Sequence, residues 1–113
     1  MITGKYNISA KQGATYSQTF TVENDGTPWN LSSYSARMQV RRSFSDSGKL
    51  LDLVSPTNIT LSSVGVITIT VSALSMADVP SGRWLYDLEV QSSGGEVYRV
   101  LEGRFVVSPE VTR

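Results

Sequence analysis

Three carboxylates gather near the end of the chain: Asp87 and Glu89 on one β-type run and Glu102 on the next. Two carboxyl groups flanking a sugar are the machinery of a glycoside hydrolase. The alternation that carries these three, however, puts them on the outer face of a flat hairpin without a cleft, where they read as solvated acids. Glu23, Asp25, Asp46 and Asp52 could suggest calcium, but no Asp-x-Asp-x-Asp spacing accompanies them, and they read as turn and loop solvation. Arg37, Arg41 and Arg42 form the basic counterpart, with Gln39 between the first two. The chain has ten basic and ten acidic residues and a formal net charge of zero. No general pull toward nucleic acid or anionic lipid follows from that balance. Arg37 and Arg41 therefore read as a solvated strand face or a salt-bridge surface between subunits.

Composition narrows the chemistry further. The chain contains no histidine and no cysteine. That removes Ser-His and Cys-His nucleophile systems, His-ligated metals, structural zinc and Cys-ligated iron–sulfur clusters. It also removes any dependence on disulfides. No catalytic residue, metal ligand or cofactor is expected. No apolar run is long enough to span a membrane. The start, Met1-Ile-Thr-Gly-Lys-Tyr6, lacks the charged-then-apolar pattern of a secretion signal. In that context the Asn-x-Ser/Thr sequons at Asn7, Asn30 and Asn58 are accidental.

The elements that position these residues are strands. Trp84, Tyr86, Leu88 and Val90 alternate with Leu85, Asp87, Glu89 and Gln91, the period of two that a half-buried strand requires. Ala14–Val22 and Tyr34–Arg42 alternate in the same way, the latter setting Ala36, Met38 and Val40 against Arg37, Gln39 and Arg41. Ile67, Ile69 and Val71 face inward from Val66–Ser72, with Thr68 and Thr70 outward. Shorter strands are expected over Lys5–Ser9, Leu50–Val54 and Asn58–Leu61. Glu23–Pro28 is turn chemistry with Asp25-Gly26 at its tight point, and Ser43–Gly48 is a polar loop. Only 73–79 invites a helical turn, capped by Ser72 and stopped by Pro80. The hydrophobic fraction of 40% supports a two-layer core. About seven short strands at near-regular spacing predict one all-β domain over residues 1–113, a Greek-key sandwich with short tails at 1–5 and 109–113. Its expected core includes Phe20, Met38, Val40, Ile67, Ile69, Trp84, Tyr86, Leu88, Leu101 and Phe105.

The closing hairpin turns through Ser92-Ser-Gly-Gly95. A turn centred on Ser93-Gly94 sets Asp87 opposite Val100 and Trp84 over Gly103. A turn centred on Gly94-Gly95 sets Asp87 directly opposite Glu102, and facing like charges are disfavoured by up to about 1 kcal/mol. The first register is therefore expected, which places Arg99 on the face of Val97 and Leu101, near an open end of the sandwich.

The segments Tyr86-Asp-Leu-Glu-Val90 and Val97-Tyr-Arg-Val-Leu-Glu-Gly-Arg-Phe-Val-Val-Ser-Pro-Glu-Val-Thr-Arg113 resemble the end of small proteins encoded among the structural genes of tailed bacteriophages. Gln12-Gly-Ala-Thr15, Asn30-Leu31-Ser-Ser-Tyr34, Ala36-Arg-Met-Gln-Val-Arg41 and Leu74-Ser-Met-Ala-Asp78 extend the likeness over nearly the whole chain. It is similar to the β-sandwich modules of phage necks and baseplates. The resemblance implies an immunoglobulin-like shape and a non-enzymatic virion component of the neck, tail or baseplate. Such a protein is made in the host cytoplasm and held by other virion proteins in a symmetric multi-copy assembly, without nucleic acid or membrane. The alternative is a carbohydrate- or host-surface-binding module, or a capsid decoration protein, on the particle exterior. Candidate contact residues are Trp29, Arg37, Arg41, Glu110, Val111, Thr112 and Arg113, with the Ser43–Gly48 loop and the residues before Tyr6. Trp29 would staple the end of the sandwich, stack on a sugar or anchor a neighbouring subunit; a sugar site would also require a coplanar aromatic such as Tyr34.

Overall fold

A computed structural model describes residues 4–111. In chain order it contains β1 (Gly4–Lys5), β2 (Ile8–Lys11), β3 (Tyr16–Thr21), β4 (Glu23–Asn24), β5 (Thr27–Pro28), β6 (Ser35–Arg41), β7 (Leu51–Val54), β8 (Ile59–Leu61), β9 (Val66–Val71), α1 (Ala73–Ala77), β10 (Gly82–Gln91) and β11 (Val97–Ser108). The larger sheet runs β1-β11-β10-β6-β7, with β2 continuing along β11 beyond β1. The smaller runs β3-β9-β8, and β4–β5 form a separate ribbon. The fold is all-β, as the periodicities require, and the one helix is capped by the Ser72 hydroxyl accepting from the Ser75 N–H.

Alternation builds the core. Met38, Val40, Leu88 and Phe105 of the large sheet and Ile59, Ile67, Ile69 and Val71 of the small sheet are all buried. The layers meet where the rings of Tyr16 and Phe105 pack edge to face, 5.7 Å apart. Met76 and Val79 are fully buried as well. Of the ten expected core residues, Phe20, Trp84 and Leu101 are only half-buried and pack against its margin. Phe20 lies edge to face on Tyr6, at 5.3 Å. The Trp84 indole N–H donates to the Pro80 carbonyl at 2.8 Å, and Arg42 lies over the ring at 5.5 Å.

The single N-terminal strand expected over Lys5–Ser9 is two, and both run parallel to β11. The chain leaves the ladder at Tyr6 and Asn7. There the Tyr6 N–H donates to Glu102 O at 3.0 Å, and the Asn7 side-chain carbonyl accepts from the Arg104 N–H at 3.1 Å. Of the expected tail at 1–5, Gly4 and Lys5 are strand, paired with Leu101 and Glu102, and residues 1–3 lie outside the described residues. Of the tail at 109–113, Glu110 is held to the domain. The Glu110 N–H donates to Gln12 Oε1 at 3.2 Å, and its carboxylate lies against Gly13.

The hairpin adopts the register that charge alone disfavours. Asp87 stands opposite Glu102, Tyr86 opposite Gly103 and Trp84 opposite Phe105. Two constraints outweigh the repulsion. The turn closes with Ser92 and Glu96 bonded and Gly95 at a positive φ of 91°, which suits only glycine well. A bulge then sets Val100 and Leu101 against Leu88, so Val100 becomes fully buried and Arg99 turns to the outer face. Gly103 is not a bed for Trp84, which lies over Gly82. It is the place where Tyr6 bulges from the ladder between β1 and β2, and a Cβ there would collide with the Tyr6 carbonyl oxygen.

That carbonyl accepts a hydrogen bond from the Tyr86 hydroxyl at 2.6 Å, whereas the buried Tyr16 hydroxyl has no partner among the described residues. Burial raises both phenols well above their ordinary pKa, so both stay neutral. Opposite effects of one chemical change follow. Tyr16→Phe removes an unsatisfied buried group and is expected to stabilise by about 1 kcal/mol, whereas Tyr86→Phe is expected to destabilise by about as much. Thermal unfolding of both variants checks this, and a fall in Tm for Tyr16→Phe would contradict it.

Candidate functional site

The outer face of the large sheet collects most of the charge that the strands carry. Adjacent registers align it in rows across the sheet. One row reads Arg37, Glu89, Arg99. The next reads Asp52, Gln39, Asp87, Glu102, Lys5, and the third Arg41, Leu85, Arg104. An acidic row therefore lies between two basic ones. Arg37 meets Glu89 at 3.6 Å. Arg99 reaches Asp87 at 3.6 Å and Glu102 at 3.5 Å, bridging the like-charged pair that the register places face to face. Each contact is half-exposed and individually weak, but one guanidinium shared by two carboxylates offsets their repulsion.

This face is not flat. The segment from Arg42 to Leu50 folds over it because Arg41 holds it down. The Arg41 guanidinium donates to the Asp46 carbonyl at 2.9 Å and to Gln39 Oε1 at 2.8 Å. The Asp46 carboxylate in turn accepts from the Gly48 N–H at 2.8 Å. The loop overhangs two hollows that share Gln39, Arg41, Phe44 and Asp87. One, of about 630 Å³, reaches Leu85, Gly103 and Arg104; the other, of about 470 Å³, reaches Arg37 and Glu89. Phe44, which lines both hollows, is 92% exposed. The expectation of a surface without a cleft is corrected, because alternation within strands says nothing of a loop lying across them.

Asp87 sits at the centre of the groove. Partial burial raises its carboxyl above the ordinary carboxylate value, Glu89 and Glu102 push it further, and Arg99 and Arg41 oppose the rise. Among the described residues, no three acidic side chains gather closely enough to hold a metal ion.

The candidate contact residues are scattered. Arg37 and Arg41 do share this face, but Arg41 spends its donors on the loop carbonyl of Asp46 and on its strand neighbour Gln39. Trp29 is buried, between Tyr34 at 5.6 Å and Tyr98 at 5.5 Å, so it staples the sandwich and is corrected as a contact residue. The rings meet at 78° and 72°, so Trp29 and Tyr34 form no coplanar pair. Tyr98 instead donates from its hydroxyl to Glu96, which raises its pKa. Glu110 is held against the β2–β3 turn, Val111 is 91% exposed, and Thr112 and Arg113 lie outside the described residues. Sequence reasoning named the Ser43–Gly48 loop as a contact candidate without singling out Phe44, whose signal was a large apolar side chain inside a Ser/Asp/Gly loop. It missed Arg99, because a bulge moved it to the other face.

The raised pKa of Asp87 fixes a pH dependence. A folded-state pKa above the unfolded value means that ionising Asp87 weakens the fold as pH rises through the folded pKa. Asp87→Asn is therefore expected to raise Tm at pH 7. The advantage should vanish toward pH 3, where the carboxyl is protonated in the folded and unfolded chain alike. Arg99→Ala exposes the Asp87–Glu102 pair, so it is expected to cost about 1 kcal/mol at pH 7, less in high salt. Unfolding curves at the two pH values decide both; an Asp87→Asn protein less stable than wild type at pH 7 would contradict the first.

The chain matches no protein-family model and no curated protein sequence, so its function has to be argued from this surface.

Proposed function

We propose that this chain is a non-enzymatic structural domain acting through protein–protein contact, a neck, tail or baseplate accessory of a tailed-phage particle held there in several symmetric copies. The particle assignment rests on the sequence resemblance. The contact role rests on one observation: an almost fully exposed phenylalanine standing on an arginine-anchored loop over ordered rows of charge. Burying an exposed Phe contributes about 1.5–3 kcal/mol, and aromatic anchors beside charged groups are the usual energetic centres of interfaces. The rows Arg37–Glu89–Arg99 and Arg41–Leu85–Arg104 give such a contact orientation, because complementary charge fixes register and excludes wrong partners. A hydrolytic role has less support, since Arg99 already occupies both Asp87 and Glu102. Sugar binding lacks a flat platform, as Trp29 and Tyr34 meet nearly at right angles.

The test is co-purification with particles. A tagged chain expressed during phage production is expected to sediment with tailed particles and to be located by electron microscopy on the neck, tail or baseplate. Phe44→Ala combined with Arg37→Glu is expected to reduce incorporation at least about tenfold, equivalent to about 1.4 kcal/mol, with the domain still folded by circular dichroism. A wild-type chain absent from the particles overturns the particle assignment. Undiminished incorporation of the double variant overturns this face as the contact.

A further inference from the structure

The two sheets differ in how their edges are guarded. A strand edge bears unpaired N–H and C=O groups, and proteins commonly blunt it with charge, proline, bulges or brevity. Among the described edges, β1 ends in Lys5 and β2 in Lys11, each short. β7 has four residues including Asp52, and Pro56 follows two residues later. β8 has three residues. β3 is the exception. It has six residues, Tyr-Ser-Gln-Thr-Phe-Thr, with no charge, proline or glycine, and pairs in unbroken register with β9 alone.

Hydrogen-bond alternation sets the direction of each β3 backbone group. The Thr70 N–H donates to Asn58 O at 2.9 Å and the Ser62 N–H to Val66 O at 3.0 Å, so the even-numbered residues of β9 turn toward β8. Alternation in an antiparallel ladder then turns Ile67, Ile69 and Val71 toward β3, where their partners are Phe20, Gln18 and Tyr16. Ser17, Thr19 and Thr21 are left with their N–H and C=O groups directed away from the sheet. Their side chains are exposed.

We infer that β3 pairs antiparallel with β3 of a second copy of this chain about a two-fold axis at Thr19. The inference rests on the contact role proposed above and deepens it by naming one partner. In this pairing Thr19 faces Thr19 of the second copy, and Ser17 faces Thr21 of the second copy. Three residues per chain exchange both backbone groups, about six hydrogen bonds in all. A second copy fits better than a charged strand for two reasons. The edge is symmetric about Thr19 in hydroxyl side chains, so the contact is self-complementary. The smaller sheet also carries no charged residue in any strand, so copies meet without repulsion. Pairing continues the outward row Thr60–Thr68–Thr19 across the axis and turns the three-stranded sheet into a six-stranded one.

Sedimentation equilibrium of the full chain tests the pairing. The expected species has twice the 12.3 kDa chain mass. Thr19→Pro removes an N–H that the β9 ladder does not use, so it is expected to give a monomer with unchanged circular dichroism. Thr19→Lys and Thr19→Glu each set like charges across the axis and are expected to weaken dimerisation about tenfold, while their equimolar mixture restores it. The mixture decides the matter even if the proline variant does not fold. A wild-type chain monomeric at about 100 μM, a Thr19→Pro dimer, or a mixture no tighter than its components overturns the pairing. Phe44→Ala with Arg37→Glu is expected to leave the dimer intact, so losing particle incorporation and losing the dimer are separate outcomes.

Discussion

The structure depends on one close contact. Between β1 and β2 the chain bulges from the β11 ladder beside Gly103, where the Tyr6 backbone sits so close that no side chain fits beneath it. The Tyr6 N–H donates to Glu102, and the Tyr6 carbonyl accepts from the Tyr86 hydroxyl. These contacts tie the first strands to the last and to the strand beside it. β1 and β2 then follow one another along the same edge of one long neighbour. A larger residue at 103 would push the N-terminal segment off β11 and uncover the edge of the large sheet.

The same contact fixes the electrostatics of the outer face. With Gly103 opposite Tyr86, Asp87 must face Glu102. The bulge at Val100 and Leu101 makes that tolerable by turning Arg99 outward to bridge both carboxylates, and it buries one more valine. Local repulsion is accepted because tertiary packing and turn geometry favour the register more strongly. What results is a face of alternating charge rows over which Arg41 holds a loop in place.

Much of this fold was legible in the sequence. The period of two placed Met38, Val40, Ile67, Ile69, Tyr86 and Leu88 in the core, and Asp25-Gly26 marked a tight turn in which both residues take positive φ. Ser72 marked the helix cap. The site was harder to see, because it depends on events without periodicity: a one-residue bulge, a loop folding back across strands, and a glycine required by a neighbour about a hundred residues away in sequence. Pairwise charge reasoning chose the wrong register because it weighed Asp87 and Glu102 without the arginine that the bulge would deliver. Trp29, which follows a turn, could be read as a staple, a sugar platform or a subunit anchor, and three aromatics close over that end of the core in the first of these ways.

The parallel pairing of β1 and β2 with β11 has a mechanical consequence. Gly4 lies beside Leu101 and Lys11 beside Ser108, so the two ends of the described domain sit at opposite ends of one ladder, about 23 Å apart at a strand's rise per residue. Tension applied through those ends acts along the strands and strains the bonds of both short strands together, in shear. A hairpin pulled at its open end parts one bond at a time. The arrangement resists unravelling under a load applied through those two ends.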